Sequence, residues 1–272
     1  MQNNNPQDLC LLLDSVIQIV SEAASIIKQA PFCVTEKSDA TNIITSNDLA
    51  SQRYLIKELS ALLPDSGFYC EEEDVHEFNK EWVWVIDPID GTANYSRGIA
   101  NCAISVALTK KQKVMLGVVC DIFSGDVYSA ILGGGAYFNG KPISVSANCF
   151  ERSILCTAMS LYKKEYAKVC SDIIYEAYMQ CNDVRRFGSC ALELCYLASG
   201  KCDLYFEIRV FPWDYAAGYL IIQEAGGVIT GLANEALKLN GPSVVVAANS
   251  AENHGKLSLI VDKYLHITPY EE

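Results

Sequence analysis

Apolar residues recur every three or four positions between residues 8 and 29: Leu9, Leu12, Leu13, Val16, Val20, Ala23, Ala24 and Ile27. That spacing puts them on one face of an amphipathic helix. The polar stretch "TEKSDATNIITSND" follows. A second helix is predicted from about Asp48 to Leu63, with Leu49, Leu55, Leu59, Leu62 and Leu63 on its apolar face and Pro64 as its stop. The period then shortens. "GFYC" reads as a strand, and "WVWVI" as a strand buried on both faces. "CAISVALT", "VMLGVVCDI" and "DVYSAIL", separated by "KKQK" and "FSGD", read as an antiparallel meander. "GGGAYFNGKPISV" carries an Asn-Gly hairpin turn.

Beyond residue 150 strands and helices alternate. "SILCTAM", "VRRFG", "CDLYFEI", "GVIT" and "SVVVAAN" read as strands, and 162–180, 189–199, 214–225 and 251–265 as helices. The first half, about 1–150, is therefore α+β, and the second, about 151–272, is α/β. No linker or change of composition separates them, so a single domain over 1–272 is expected.

Half of the residues are apolar, enough for a sizeable core. The net charge of −12 argues against direct nucleic-acid binding, which needs a basic surface. It leaves room for an anionic substrate if bound cations supply positive charge locally. The twelve cysteines form no CxxC pair, and His76, His254 and His266 stand apart, so zinc is not expected. The thiols are expected to be reduced and mostly buried, in a cytoplasmic protein. "MQNNNPQDLC" lacks the basic region of a signal peptide. The stretch after it is amphipathic and broken by Asp14 and Gln18, so no signal peptide is expected, and no run approaches the roughly 18 apolar residues of a membrane span.

"WVWVIDPIDGTANY" ends an apolar strand in two carboxylates, Asp87 and Asp90. Each alone reads as half of a turn dipeptide. Together, on a turn stiffened by Pro88 and bent at Gly91, they would repel each other unless a cation sat between them. Hard oxygen donors suit magnesium or manganese. Two further acidic places are available. "EEED", from Glu71, follows a short strand, although alone it reads as a solvated turn. Asp214 in "PWDYAAGYLIIQEAGG" precedes a helix of small residues, where its plain reading is an N-cap. "GGGAYFNG" lacks the Gly-Lys-Ser/Thr of a P-loop. Arg185 and Arg186 read as a solvated strand end, with the pocket or a subunit interface as alternatives.

"WVIDPIDGTANY" and "WDYAAGYLIIQEAGG" resemble the two signatures of the inositol monophosphatase family, within the magnesium-dependent, lithium-sensitive phosphatase superfamily. "TSND", "CEEED", "GGGAYFNGKPI" and "RRFGSCALELCYLASGKCDLYFE" follow the family order, and the resemblance covers roughly residues 8–265. It implies a layered α-β-α-β-α sandwich of the inositol monophosphatase and fructose-1,6-bisphosphatase kind. It implies metal ligation by Glu71, Asp87, the Ile89 carbonyl, Asp90 and Asp214. Glu71 is preferred to Glu72 because it lies nearest the "FYC" strand. Two or three Mg2+ ions are expected, with Mn2+ as a substitute. Thr92 is expected to hold the attacking water and Asp48 to pair with Thr92; the plain reading of Asp48 is an N-cap of the second helix. With no Lys or Arg cage in the motif, the amides of Gly91 and Thr92 are expected to take phosphate oxygens. Gly188, Ser189 and Cys190 are expected to line the substrate pocket, and Glu207 to accept a substrate hydroxyl. Ser189 stands where the family usually has threonine, and Cys190 replaces a common alanine.

The implied activity is hydrolysis of myo-inositol 1-phosphate or a similar small polyol or sugar phosphate, by a lithium-sensitive homodimer. The alternatives within the superfamily are a 3′(2′),5′-bisphosphate nucleotidase, a fructose-1,6-bisphosphatase or a histidinol-phosphatase. From another class, the alternative is a regulatory binding protein acting on the transcription machinery.

Overall fold

The computed structural model describes residues 6–39, 42–73, 75–77, 79–159 and 163–265. Asp74, His266, the tail "TPYEE" and the predicted helix start at 162 lie outside them. The chain runs α1 (Pro6–Gln29), β1 (Val34–Asp39), β2 (Asn42–Thr45), α2 (Ser46–Leu62), β3 (Gly67–Cys70), β4 (Trp82–Asp90), α3 (Thr92–Tyr95), β5 (Ala103–Lys110), β6 (Lys113–Asp121), β7 (Val127–Ile131), β8 (Gly135–Phe138) and β9 (Lys141–Pro142). It continues through β10 (Ile154–Ala158), α4 (Ala167–Tyr178), β11 (Asp183–Arg185), α5 (Cys190–Ala198), β12 (Leu204–Val210), α6 (Pro212–Glu224), β13 (Val228–Thr230), β14 (Ser243–Ala248) and α7 (Ala251–Tyr264).

β3 to β9 form a seven-stranded sheet in chain order. It is antiparallel apart from the β3–β4 pair. The smaller sheet has the order β11-β10-β12-β14-β13. Alternation along the strands sorts side chains between layers. Trp84 and Ile86 of β4 join α1 and α2 on the outer face of the larger sheet. Val83 and Val85 face inward onto α5 and α6, which also pack on Tyr205 of the smaller sheet. Leu204, Phe206 and Ile208 of β12 face the opposite way, onto α4 and α7. Helix pair, sheet, helix pair, sheet and helix pair make the α-β-α-β-α sandwich that the resemblance implied.

The middle helices must fit between two sheets, which explains their small residues. A Cβ on Gly117 of β6 would stand 2.8 Å from the Ala217 carbonyl oxygen of α6, and one on Gly218 would strike Leu194 of α5. α1 is the one described helix long and apolar enough, by length and composition, to cross a membrane, with mean hydropathy 1.7 over Leu9–Gln29. The sequence reading found no such span. Here its apolar stripe, from Leu9 to Ile27, is buried in the outer core. All twelve cysteines are free thiols, and most are buried.

Three readings of the elements need correction. The stretch after α1 carries the β1–β2 hairpin. Asp87 and Asp90 belong to β4 itself, which runs through both with a bulge between them, not to a turn beyond it. The helix before β11 is shorter than 162–180, starting as α4 at Ala167 after a 3-10 turn over Lys164–Tyr166.

Candidate functional site

The parallel pairing of β3 with β4 ends at Cys70 opposite Ile86, and the Glu71 amide extends it by donating to the Ile86 carbonyl at 3.2 Å. Glu71 therefore emerges beside Asp87. On its other side β4 pairs with β5, setting Asp87 opposite Ser105 and Asp90 opposite Ala103. The bulge between them absorbs Pro88, which has no N–H for a ladder. The Pro88 carbonyl accepts instead from Ser51 Oγ at 3.1 Å. Asp214 arrives from the middle layer, in the first turn of α6. It is not an N-cap: α6 starts at Pro212, and Asp214 accepts from the Phe211 amide at 2.7 Å. Carboxylate oxygens of Asp87, Asp90 and Asp214 all lie within 4.8 Å of one another.

Burial pushes Asp87 well above the usual carboxylate range, and Glu71, Asp90 and Asp214 add to the shift. Burial raises Asp214 in the same way, with Asp90 and Glu71 contributing. Asp90 is raised mainly by burial as well, against hydrogen bonds that favour its charge. Its Oδ2 accepts from Ser189 Oγ at 2.5 Å and from the Ala191 amide at 2.7 Å. Like charges held this close favour protonation or a shared cation. Three oxygen donors with this spacing fit a small hard divalent ion. Glu71 stands in the same cleft but outside that triad, and its Oε1 pairs with Lys37 of β1 at 3.0 Å. Glu72 is not among the residues lining the cleft. It is buried against Lys37 at 2.6 Å, and its backbone is pinned by Gln52.

Every residue selected from the sequence lines one cleft, except Asp48. Asp48 is fully buried and reaches the site through Thr92, whose Oγ1 lies 3.0 Å from Asp48 Oδ1 and 3.0 Å from the Ile89 carbonyl oxygen. The N-cap of α2 is Thr45. Asp48 is its reciprocal partner three residues on, accepting from the Thr45 amide at 2.8 Å. Burial raises Asp48 to about 6. The rest of α2's buried N-terminal face, Asn47, Ser51 and Gln52, is polar and supports the same neighbourhood. Gly91 and Gly188 have φ of 90° and 87°. A Cβ on Gly91 would stand 3.0 Å from the Gly188 carbonyl oxygen, so the turn after β4 and the turn before α5 meet backbone to backbone. Asn94 stitches the two, donating to the Asn101 and Phe187 carbonyls at 2.8 and 2.7 Å.

Opposite the aspartates, Ser189 caps α5 by accepting from the Leu192 amide. Tyr205 lies between two expected pocket residues: its hydroxyl is 2.5 Å from Glu207 Oε2 and 3.0 Å from Cys190 Sγ. Burial raises Glu207 to about 7. Glu193 Oε1 accepts from the Phe187 and Gly188 amides at 2.7 and 2.9 Å, which holds the pocket turn. The sequence reading favoured a solvated strand end for Arg186 and gave the pocket only as an alternative; Arg186 and Arg209 both line the cleft. Lys37, Asn94, Glu193, Tyr205 and Arg209 were missed. Asn94, Glu193 and Tyr205 lay inside the matched stretches "WVIDPIDGTANY" and "RRFGSCALELCYLASGKCDLYFE", which did not mark their roles. Lys37 and Arg209 lay outside them and are placed by tertiary packing.

The likeness to known proteins agrees with this geometry. The model of the inositol monophosphatase family matches residues 9–265. A Nus factor SuhB of Salmonella typhimurium is 33% identical over 225 residues, covering 80% of this chain and 84% of that protein. The solved inositol monophosphatase from an Anabaena (Nostoc) species superposes with TM-score 0.81 at 27% identity, over 94% of this chain and 97% of the other. The inositol-monophosphate-bound structure of SaIMPase-II superposes with TM-score 0.79 at 27% identity, over 92% and 94%. With the layered sandwich, the triad of aspartates at the end of β4 and the start of α6, and a family match across nearly all described residues, the chain belongs to the inositol monophosphatase family.

Proposed function

We propose that the chain is a metal-dependent phosphomonoesterase that hydrolyses a small polyol phosphate, with myo-inositol 1-phosphate as the first candidate. The observation that carries this reading is the convergence of Asp87, Asp90 and Asp214 within 4.8 Å, in the cleft that Thr92 also lines. In this reading Mg2+ or Mn2+ held by these aspartates, Glu71 and the Ile89 carbonyl would neutralise the phosphate and lower the pKa of a bound water. Thr92 has one proton for two acceptors, Asp48 Oδ1 and the Ile89 carbonyl oxygen. When it donates to Asp48, its lone pairs are free to accept from the attacking water and aim it. The water oxygen bonds to phosphorus as the ester P–O bond breaks, and the proton that the water gives up passes to the leaving oxygen, which yields the alcohol and inorganic phosphate. The amides of Gly91 and Thr92 at the turn offer donors to phosphate oxygens. Glu207, held by Tyr205, accepts from a substrate hydroxyl. Lithium inhibition, a homodimer and a cytoplasmic setting belong to the same proposal.

The name Nus factor borne by relatives favours a second reading, a regulatory protein of transcription. Clustered carboxylates, buried and mutually repelling, have no use in a module that only binds a protein. Phosphate release from inositol, sugar and nucleotide phosphates, with and without Mg2+, separates the two. Metal-dependent release is expected; none from any ester leaves the second reading.

A further inference from the structure

Tyr205 is fully buried on β12, in the core that α5 and α6 share with both sheets. A buried phenol needs a hydrogen-bond partner, and this one has two, Glu207 Oε2 at 2.5 Å and Cys190 Sγ at 3.0 Å. Both partners line the cleft, so the hydroxyl of a core tyrosine serves only the substrate wall. Tyr205 and Glu207 stand two residues apart on β12 and share a face. Cys190 is the first residue of α5, directly after its cap Ser189.

The chemistry of the three groups assigns their protons. Burial pushes the Tyr205 phenol and the Cys190 thiol well above their ordinary values, so both stay protonated. Burial raises Glu207 to about 7, so at pH 8 it is a carboxylate. The phenol has one proton, which goes to the stronger acceptor, the carboxylate. The thiol then donates to the phenol oxygen. The chain runs one way, from Cys190 S–H through Tyr205 O–H to Glu207 Oε2. No other hydrogen bond reaches Glu207 among the described residues, so Oε1 is left to the cleft.

We infer that Cys190 and Tyr205 are positioning residues for substrate selection, which pin Glu207 Oε2 and present Oε1 alone to a hydroxyl on the alcohol part of the ester. The inference rests on the phosphatase reading and narrows it. The preferred ester carries a free hydroxyl on the alcohol that leaves, and an ester with the same ring but no hydroxyl is a poor substrate. Each residue acts through Glu207 and not on the phosphate.

The full chain in Mg2+ at pH 8 is assayed on myo-inositol 1-phosphate and cyclohexyl phosphate, which share a six-membered ring and differ in its hydroxyls. The quantity read is the ratio of their kcat/KM values. For the wild type it is expected to be about 100 or more. Tyr205→Phe keeps the ring and removes the hydroxyl; it is expected to cut the ratio about tenfold, mainly through KM for the inositol ester. Cys190→Ala is expected to cut it about threefold, and Cys190→Ser, which keeps a donor, by less. With Glu207→Ala already present, Tyr205→Phe should change the ratio no further. A tyrosine that serves only the core slows both esters alike and leaves the ratio unaltered, and that result overturns the inference. A wild-type ratio near one does the same, and both results leave the phosphatase reading intact. Should Tyr205→Phe fail to fold, the Cys190 variants decide, and wild-type ratios in both overturn the inference. No metal-dependent release from either ester removes the phosphatase reading and the inference with it.

Discussion

Thr92 Oγ1 lies 3.0 Å from Asp48 Oδ1, joining the turn that leaves β4 to the first turn of α2. The other oxygen of Asp48 is held by Thr45, so the carboxylate is fixed at both ends. A pair built this way acts as one unit on a water molecule. Thr92→Val and Asp48→Asn are each expected to lower kcat by about 100-fold or more, with KM within a few-fold. The double variant should be little worse than the poorer single variant. Steady-state phosphate release measures all three; losses that multiply would show two independent roles.

Asp90 sits in a repulsive cluster and also anchors the start of α5 through Ser189 and Ala191. Asp90→Asn removes a charge yet keeps an acceptor for these donors. Turnover is expected to fall by about 1000-fold or more, the worth of several kcal/mol of transition-state stabilisation. The metal-free variant should unfold at or above the wild-type temperature. Mg2+ at about 100 times its dissociation constant should add about 2.7 kcal/mol to the wild type and far less to the variant. Melting curves with EDTA and with Mg2+ test this, and an equal metal response would remove Asp90 from the ligand set.

Gly91 has φ of 90°, and a Cβ there would stand 3.0 Å from the carbonyl oxygens of Asn101 and Gly188. Gly98 has φ of 70° with open space around its Cβ position. Gly91→Ala therefore suffers both strain and collision, and Gly98→Ala strain alone. Urea unfolding should show Gly91→Ala to be the less stable by at least about 1 kcal/mol. It should also lose activity, because Asp90 and Thr92 flank the displaced turn.

Burial raises the Glu193 carboxyl from 4.5 to about 8, against hydrogen bonds from Gly188 and Phe187. The folded protein then keeps this proton up to about pH 8, whereas the unfolded chain releases it near 4.5. Between those values the unfolded state binds fewer protons, so stability falls as pH rises. Glu193→Gln keeps the acceptor for the two amides and cannot ionise. Its stability advantage over the wild type should grow from pH 5 to pH 8, by up to about 1.4 kcal/mol per pH unit. Urea titrations across that range, in EDTA for both proteins, read the difference; a constant gap would show Glu193 to be ionised throughout.

Much of the fold was legible because its cues are local. The stripe on α1 and the meander β5–β7 show in spacing alone, and the Asn139-Gly140 turn of β8–β9 has φ of 48° and 73°, as its residues suggested. The β1–β2 hairpin was not legible. "TEKSDATNIIT" has too few apolar residues to show a period, and the ion pairs from Lys37 to Glu71 and Glu72 draw on partners more than thirty residues away. Asp48 and Asp214 read as caps because helix starts are located only to within a residue or two. In each case the residue three positions earlier is the cap.

The amino-acid sequence by itself determined the helices, the strands other than the β1–β2 hairpin and the stock of carboxylates, since periodicity, turn chemistry and motif spacing act over a few residues. Only the tertiary structure decided that Asp90 reaches Ser189, that Glu71 faces Lys37 as well as the aspartates, and that Arg209 lines the cleft over Phe211. Those meetings depend on how two sheets twist and stack around α5 and α6, and no short segment of the chain carries that information.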